Sequence, residues 1–429
     1  MGFVLTALFL ILTFLSPADL MPAIGAYRPV LILVILGSAG AVLSILSSAT
    51  SIFIPPVLML GAFTALVTIS LPIHGWPGGI MHATSTFLPS TIGFFLVIAT
   101  VNSLRRVRIT ALIFVLLGFY YAVRGVGAYH FDIDTERFTI LQSVETGDPL
   151  NPKREYLRTR GSGFLADPND LAQNYLICLP FIGLLWRKRQ FFRNFLVLLP
   201  MAFILYSLYL TSSRGALVGL FVLGALLLRS RLGLFGPVAS AAFTAFLFAF
   251  VGFGGGRAVS ASGGTGGGRL ELWSDAISLF ISRPIIGIGY DSITEFMHYT
   301  AHNSFLLCAT ELGMTGYFCW LALLLTTIAG LWQVRAIPES DDDSIGLKRM
   351  ANALLMALYT FLATAWFLSR TYTLTLYILL GLAVATYLVA FSQGRIRVPE
   401  KPFRWPQVTL VTMLSSLLAI YLMVRFRWA

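Results

Sequence analysis

The chain has 429 residues, 57% of them hydrophobic and 11% charged, with a formal net charge of +11 and a mean hydropathy of +0.81. A soluble domain carries roughly 25% charged residues, so the composition excludes a soluble globular protein, and without a basic soluble domain it excludes a nucleic-acid partner. Cys178, Cys308 and Cys319 lie in apolar segments without CxxC spacing, which points to neither a disulfide framework nor a metal site.

Apolar runs fall near 2–16, 29–47, 51–71, 85–101, 109–125, 171–186, 193–211, 216–229, 233–253, 304–333, 350–368, 371–391 and 407–424. They predict an all-α polytopic membrane protein with about 12 or 13 transmembrane helices; the alternating strands of a membrane barrel are absent from the sequence. The first run lacks an A-x-A cleavage site and reads as a retained span. Short loops carry Arg105, Arg106 and Arg108, then Arg187, Lys188, Arg189 and Arg193, then Arg229 and Arg231, then Arg335, Lys348 and Arg349, then Arg395, Arg397, Lys401 and Arg404. With the N-terminus inside, these 16 of 30 basic residues share one side, read as cytoplasmic. Arg425 and Arg427 run against that pattern if 407–424 spans.

Two longer loops then face outward. The first mixes Arg137, Lys153, Arg154, Arg158 and Arg160 with acids and reads as a solvated loop. The expected organisation is an N-terminal transmembrane bundle over 1–125, a first outer loop over 126–168, central transmembrane helices over 169–253, a catalytic outer loop over 254–301 and C-terminal transmembrane helices over 302–429.

Polar residues gather where spans meet the outer loops. Asp167-Pro168-Asn169-Asp170 is a good helix start, with Asp as cap and Pro in the first turn; it also offers Asn169 and Asp170 to a sugar hydroxyl. In Thr211-Ser212-Ser213-Arg214-Gly215, Ser213 is positioned to cap a helix beginning at Arg214. An arginine on the free N–H groups of a helix start makes an anion site, and Arg214 lies on the side that the charge rule does not explain. The glycine run over 252–268 lacks GK[ST] and follows a membrane span, so it is not a Walker loop. Arg269 and Trp273 sit four apart on a short amphipathic helix expected to rest on the membrane surface. His302-Asn303 opens the next span. A lone histidine is most often structural, yet imidazole is the side chain that exchanges a proton near neutral pH. Glu311 lies within that span, where an acid faces a cavity or a partner.

In order along the chain, Ser213-Arg214-Gly215, Arg-x-x-x-Trp over 269–273, Pro-x-x-Gly-x-Gly-Tyr over 284–290, His-Asn-x-x-Leu over 302–306 and Glu-x-Gly-x-x-Gly over 311–316 resemble the bacterial O-antigen ligase and O-antigen polymerase superfamily. The resemblance covers about residues 165–392. It implies a C-type glycosyltransferase fold in the bacterial inner membrane and transfer at its outer, periplasmic face. It implies an undecaprenyl-diphosphate-linked glycan as donor, and as acceptor a glycan, lipid A core or another hydroxyl. Arg214 and Arg269 would hold the diphosphate and His302 would act on the acceptor hydroxyl; Ser213, Asn303, Tyr290, Asp170 and Glu311 complete the expected substrate contacts. The outer loop before His302 is short for a ligase, which leaves polymerisation and protein glycosylation open beside ligation.

The residues support the same chemistry. A diphosphate leaving group needs cations on its developing charge and a base at the acceptor hydroxyl. No Asp-x-Asp or Asp/His cluster with metal-ligand spacing stands out near these residues, so an inverting, metal-independent reaction without a cofactor is predicted. The competing readings are a lipid-linked glycan flippase or transporter, whose polar groups would lie near the midplane, and an intramembrane protease, which would need a serine nucleophile beside His302.

Overall fold

A computed structural model describes residues 2–16, 54–145, 153–187, 189–249, 265–396 and 403–426, with isolated positions between 23 and 38. Its principal helices are α1 (Gly2–Leu15), α2 (Pro55–Ile73), α3 (Gly79–Thr86), α4 (Leu88–Thr100), α5 (Leu104–Phe131), α6 (Pro168–Leu185), α7 (Phe191–Leu210), α8 (Arg214–Leu232), α9 (Phe235–Ala249), α10 (Thr265–Ser282), α11 (Ser304–Arg335), α12 (Asp342–Ala365), α13 (Leu374–Ser392) and α14 (Trp405–Arg425). Their starts carry the expected chemistry. Pro lies in the first turn of α2, α4, α6 and α14, where a missing N–H costs nothing. The Asp167 side chain accepts from Asn169 N–H, and Asp341 forms a capping box with Ser344.

The bundle is organised around α11, which packs against α2, α10, α12, α13 and α14. Beside it, 83% of the apolar window of α13 is buried, so α13 is a core helix that meets little lipid. α14 and α7 are buried over only 22% of theirs and form the periphery. A second, smaller apolar cluster joins Trp273 and Ala276 of α10 to Leu306 and Leu307 of α11 and Ile420 of α14.

The expectation of about 12 or 13 spans is corrected. Among the described residues, six helices are long and apolar enough to cross a membrane, or seven if the bent α3–α4 pair is one span. The run near 29–47 lies largely outside the described residues. Several other runs shrink on inspection. Helix α1 has 14 residues, short of the roughly 20 a bilayer needs, and the run near 233–253 extends past the described residues, which end there at Ala249. The run near 85–101 breaks by 42° between α3 and α4. α6 carries Asp170, Gln173 and Asn174 in its first two turns, and Gln173 and Asn174 are buried. α12 opens with Asp342, Asp343, Lys348 and Arg349. An apolar run records burial, and burial against other helices leaves the same trace in sequence as burial in lipid.

Among the described residues the helical class holds apart from one hairpin. The described part of 126–168 is not a plain solvated loop: β1 (Thr139–Glu145) and β2 (Lys153–Thr159) pair antiparallel, with Leu141 opposite Leu157 and Ile140 opposite Arg158. Arg158 is only 5% exposed. Its guanidinium donates to Thr211 O at 2.7 Å, Gln142 Oε1 at 2.7 Å and Asn169 Oδ1 at 3.1 Å, which ties the hairpin to the starts of α6 and α8.

Candidate functional site

The site rests on a break in α11. Gly313 has φ 64° and ψ −168°, a conformation open in practice to glycine alone. In an unbroken helix the carbonyls of Thr310 and Glu311 would accept from Met314 and Thr315. Here Thr310 O and Glu311 O accept from the N–H groups of Ile288 and Gly289 at 3.0 and 2.9 Å, while the N–H groups of Met314 and Thr315 donate to Pro284 O and Ile285 O at 2.8 and 3.3 Å. The segment 284–290 thus takes the place of the missing helical turn. The approach is backbone to backbone: a Cβ on Gly287 would lie 2.3 Å from the Glu311 carbonyl, and one on Gly313 2.3 Å from that of Ile285. The two glycine motifs read in the sequence are the two halves of this joint.

Above the break, Asn303 caps α11 by accepting from Phe305 and Leu306 N–H at 2.9 and 3.0 Å. His302 precedes it with φ 48°, a left-handed conformation that costs an L-residue about 1–2 kcal/mol. The start of α8 repeats the pattern, with Ser212 at φ 49° just before Ser213. Non-glycine residues held this way are often part of a site.

The turn between α12 and α13 adds a cation that sequence reading passed over. Arg370 pairs with Asp170 and lies 3.8 Å from Asp167 at the start of α6. Its backbone N–H donates to Ser304 Oγ at 2.7 Å, and Ser304 Oγ donates to Leu368 O. The turn is therefore fastened to α11 two residues after His302. Burial and the positive charges of Arg269 and Arg370 hold the His302 imidazole below the ordinary 6.5, with Asp167 partly opposing. His302 is thus neutral, and able to accept a proton, at neutral pH.

The remaining predicted residues fall as follows. Ser213 does not cap α8; its hydroxyl donates to Asn169 Oδ1 at 2.8 Å, which joins the start of α8 to that of α6. Arg214 is half-buried on the first turn of α8. Arg269 lies on α10 with its guanidinium 6.0 Å from the Phe367 ring. Trp273 on the same helix is 2% exposed and packs edge-on to Trp366, so this face of α10 is turned into the bundle. Asp170 is engaged by Arg370. Tyr290 belongs to the joint, its N–H donating to Ser70 Oγ at 3.0 Å and its hydroxyl to Thr86 at 3.1 Å. Glu311 is buried at the break; its Oε1 accepts from Ile293 N–H at 3.4 Å, and Tyr372 lies beside it. The structure therefore brings His302, Arg269 and Asp170 near Arg370, with Asn303 at the adjoining start of α11, ties Ser213, next to Arg214, to the start of α6 through Asn169, and sets Tyr290 and Glu311 beneath as support.

Sequence reading missed Arg370 and misjudged Arg158. Arg370 sits alone between two apolar runs with no motif around it. Arg158 had a signal: TILQSVE and KREYLRT alternate around a turn-rich stretch, the pattern of a hairpin.

Apolar helices thus gather arginines, a neutral imidazole and an amide at one end of the bundle, in a membrane-embedded, multi-pass protein. The chain carries an O-antigen ligase domain: residues 199–321 match that family model (Wzy_C). The matched stretch contains Ser213, Arg214, Arg269, Tyr290, His302, Asn303 and Glu311, and the function is of the membrane-associated glycan-transfer, ligase type in general. No curated protein matches the chain.

Proposed function

We propose that the protein is a lipid-diphosphate-dependent glycosyltransferase of the bacterial inner membrane, working at the periplasmic face. The donor is an undecaprenyl-diphosphate-linked glycan, and the acceptor hydroxyl belongs to a growing polysaccharide, lipid A core or a comparable glycan. The observation that carries the reading is His302, strained, held neutral and flanked by two guanidinium groups inside an O-antigen ligase domain.

In this mechanism His302 takes the proton of the acceptor hydroxyl as its oxygen attacks the anomeric carbon. The bond from that carbon to the diphosphate oxygen breaks, and the lipid diphosphate leaves with the electron pair. Arg214 and Arg269 bind the diphosphate and meet the charge that grows on it, a job guanidinium does in a forked contact. Asn303 Nδ2, buried without a partner among the described residues, supplies a donor to a substrate oxygen. Arg370 positions the start of α6 and keeps His302 deprotonated. Direct displacement inverts the anomeric carbon, and because arginines carry the phosphate charge the reaction runs without a metal.

The test is to give purified protein a lipid-diphosphate glycan with each acceptor class, with and without chelator. A glycosylated product of inverted configuration that survives chelation is expected. Absence of product with every acceptor, from protein that melts normally, would remove the reading.

A further inference from the structure

Helices α6 and α12 each run from the candidate site to the other end of the bundle, about 27–36 Å away at 1.5 Å per residue. There a cavity of about 580 Å³ opens between α5, α6, α7 and α12. Its mouth holds Arg105, Arg108, Arg187, Arg193 and Arg349 against one acid, Asp342. None of the five arginines forms an ion pair among the described residues. Arg108, Arg187 and Arg193 lie close enough to act on the charge of Arg349. Like charges gathered at a cavity mouth repel one another unless an anion joins them.

The arrangement is built into the fold. Arg349 donates to Leu184 O and Trp186 O at 3.2 Å each, which fixes its guanidinium over the end of α6. Arg108 lies flat on α12 where Gly346 leaves room, since a Cβ there would fall 2.1 Å from its guanidinium nitrogen. Deeper in, the wall turns apolar, with Ile109, Leu112, Val115 and Phe181. Leu112 and, one turn further along α5, Leu116 are 38% and 56% exposed, so the apolar wall continues onto the lipid-facing side.

We propose that this cavity binds an anionic phospholipid, with the phosphate headgroup among the five arginines and an acyl chain along the apolar wall of α5. A free phosphate ion would satisfy the arginines but leave the apolar wall without a partner; a neutral lipid would do the reverse. The proposal does not depend on the glycosyltransferase reading.

Full-length protein purified in neutral detergent is titrated with phosphatidylglycerol, with phosphatidylcholine of the same chains, and with inorganic phosphate, while thermal melting is followed. Phosphatidylglycerol should raise Tm saturably, and the other two should leave it unchanged at equal concentration. The pair Arg108→Gln with Arg349→Gln should weaken the phosphatidylglycerol midpoint about 30-fold, at roughly five-fold per guanidinium. Because Arg349 also holds backbone carbonyls, the exposed pair Arg105→Gln with Arg187→Gln serves as a second variant and should weaken it comparably. Equal shifts from both phospholipids, an equal shift from inorganic phosphate, or an unchanged midpoint in a variant that melts normally without lipid would overturn the proposal.

Discussion

Where α6 begins and α12 ends, arginines are surrounded by protein partners: Arg158 has the Thr211 carbonyl and the side chains of Gln142 and Asn169, and Arg370 has Asp170 and Asp167. At the opposite ends of the same two helices, five arginines share a cavity mouth with one carboxylate. The residue type is the same and its consequence differs. At the first end the guanidinium groups organise loops, and Arg370 adds to the burial that keeps His302 neutral. At the second they repel one another, with one carboxylate among the described residues that line the cavity. Counting arginines therefore says little; the acids and carbonyls within reach say which role each one has.

Substitutions can break this contrast, beginning with the largest effect. His302→Ala should cut turnover by roughly 10²–10⁴, the usual share of a general base, while donor affinity and melting stay near wild type. Near-normal turnover in a variant that melts normally would make His302 structural. Gly287→Ala tests the support beneath the site: the new Cβ meets the Glu311 backbone at 2.3 Å, and a loss of about 3 kcal/mol is expected for overpacking at a left-handed position. A melting point equal to wild type would show that the joint yields.

Arg214→Ala and Arg269→Ala should each cost about 1.5–3 kcal/mol, the range for a hydrogen bond to a charged group. The loss should be shared between donor affinity and turnover, with partial rescue by Lys. An effect on acceptor KM alone would reassign them. Arg370→Gln sharpens the comparison differently. Removing a positive charge near His302 lets its pKa rise. A base that works when neutral loses activity as pH falls through its pKa, so the acid limb of the kcat/KM profile should move to higher pH. A limb that stays in place would show that burial and Arg269 set the imidazole without Arg370. The smallest change is expected from Lys348→Gln, which removes a partly exposed contact to Glu339 at 2.8 Å and should alter stability by no more than about 1 kcal/mol.

Much of this was legible in the sequence. The helices after residue 54 lie close to the apolar runs, because lipid-buried or helix-buried segments must be apolar and must close their own backbone hydrogen bonds. The ordered motifs fall within one joint and one polar cluster. What sequence could not supply was the count of spans, since length, bends and buried polar side chains such as Gln173 and Asn174 decide that. Ser213 illustrates a second limit. A serine before a helix reads as a cap, but its hydroxyl goes to Asn169, a residue 44 positions earlier that local reasoning does not bring near. Arg370 shows a third: its importance comes from Asp170 and Ser304, both far away along the chain, and a single arginine in a short turn carries no local mark.

The break at Gly313 bears on how the site is put together. Carbonyls of Thr310 and Glu311 left open in hydrocarbon would cost several kcal/mol each, and their partners lie in 284–290, upstream of α11. The first half of α11 therefore depends on that upstream segment to close its backbone hydrogen bonds in the broken conformation. In the folded protein that stretch and the preceding segment form one backbone-paired unit. Closing the break and forming the site are then one event: the backbone pairing that completes α11 also fixes the start of that helix, where His302 stands.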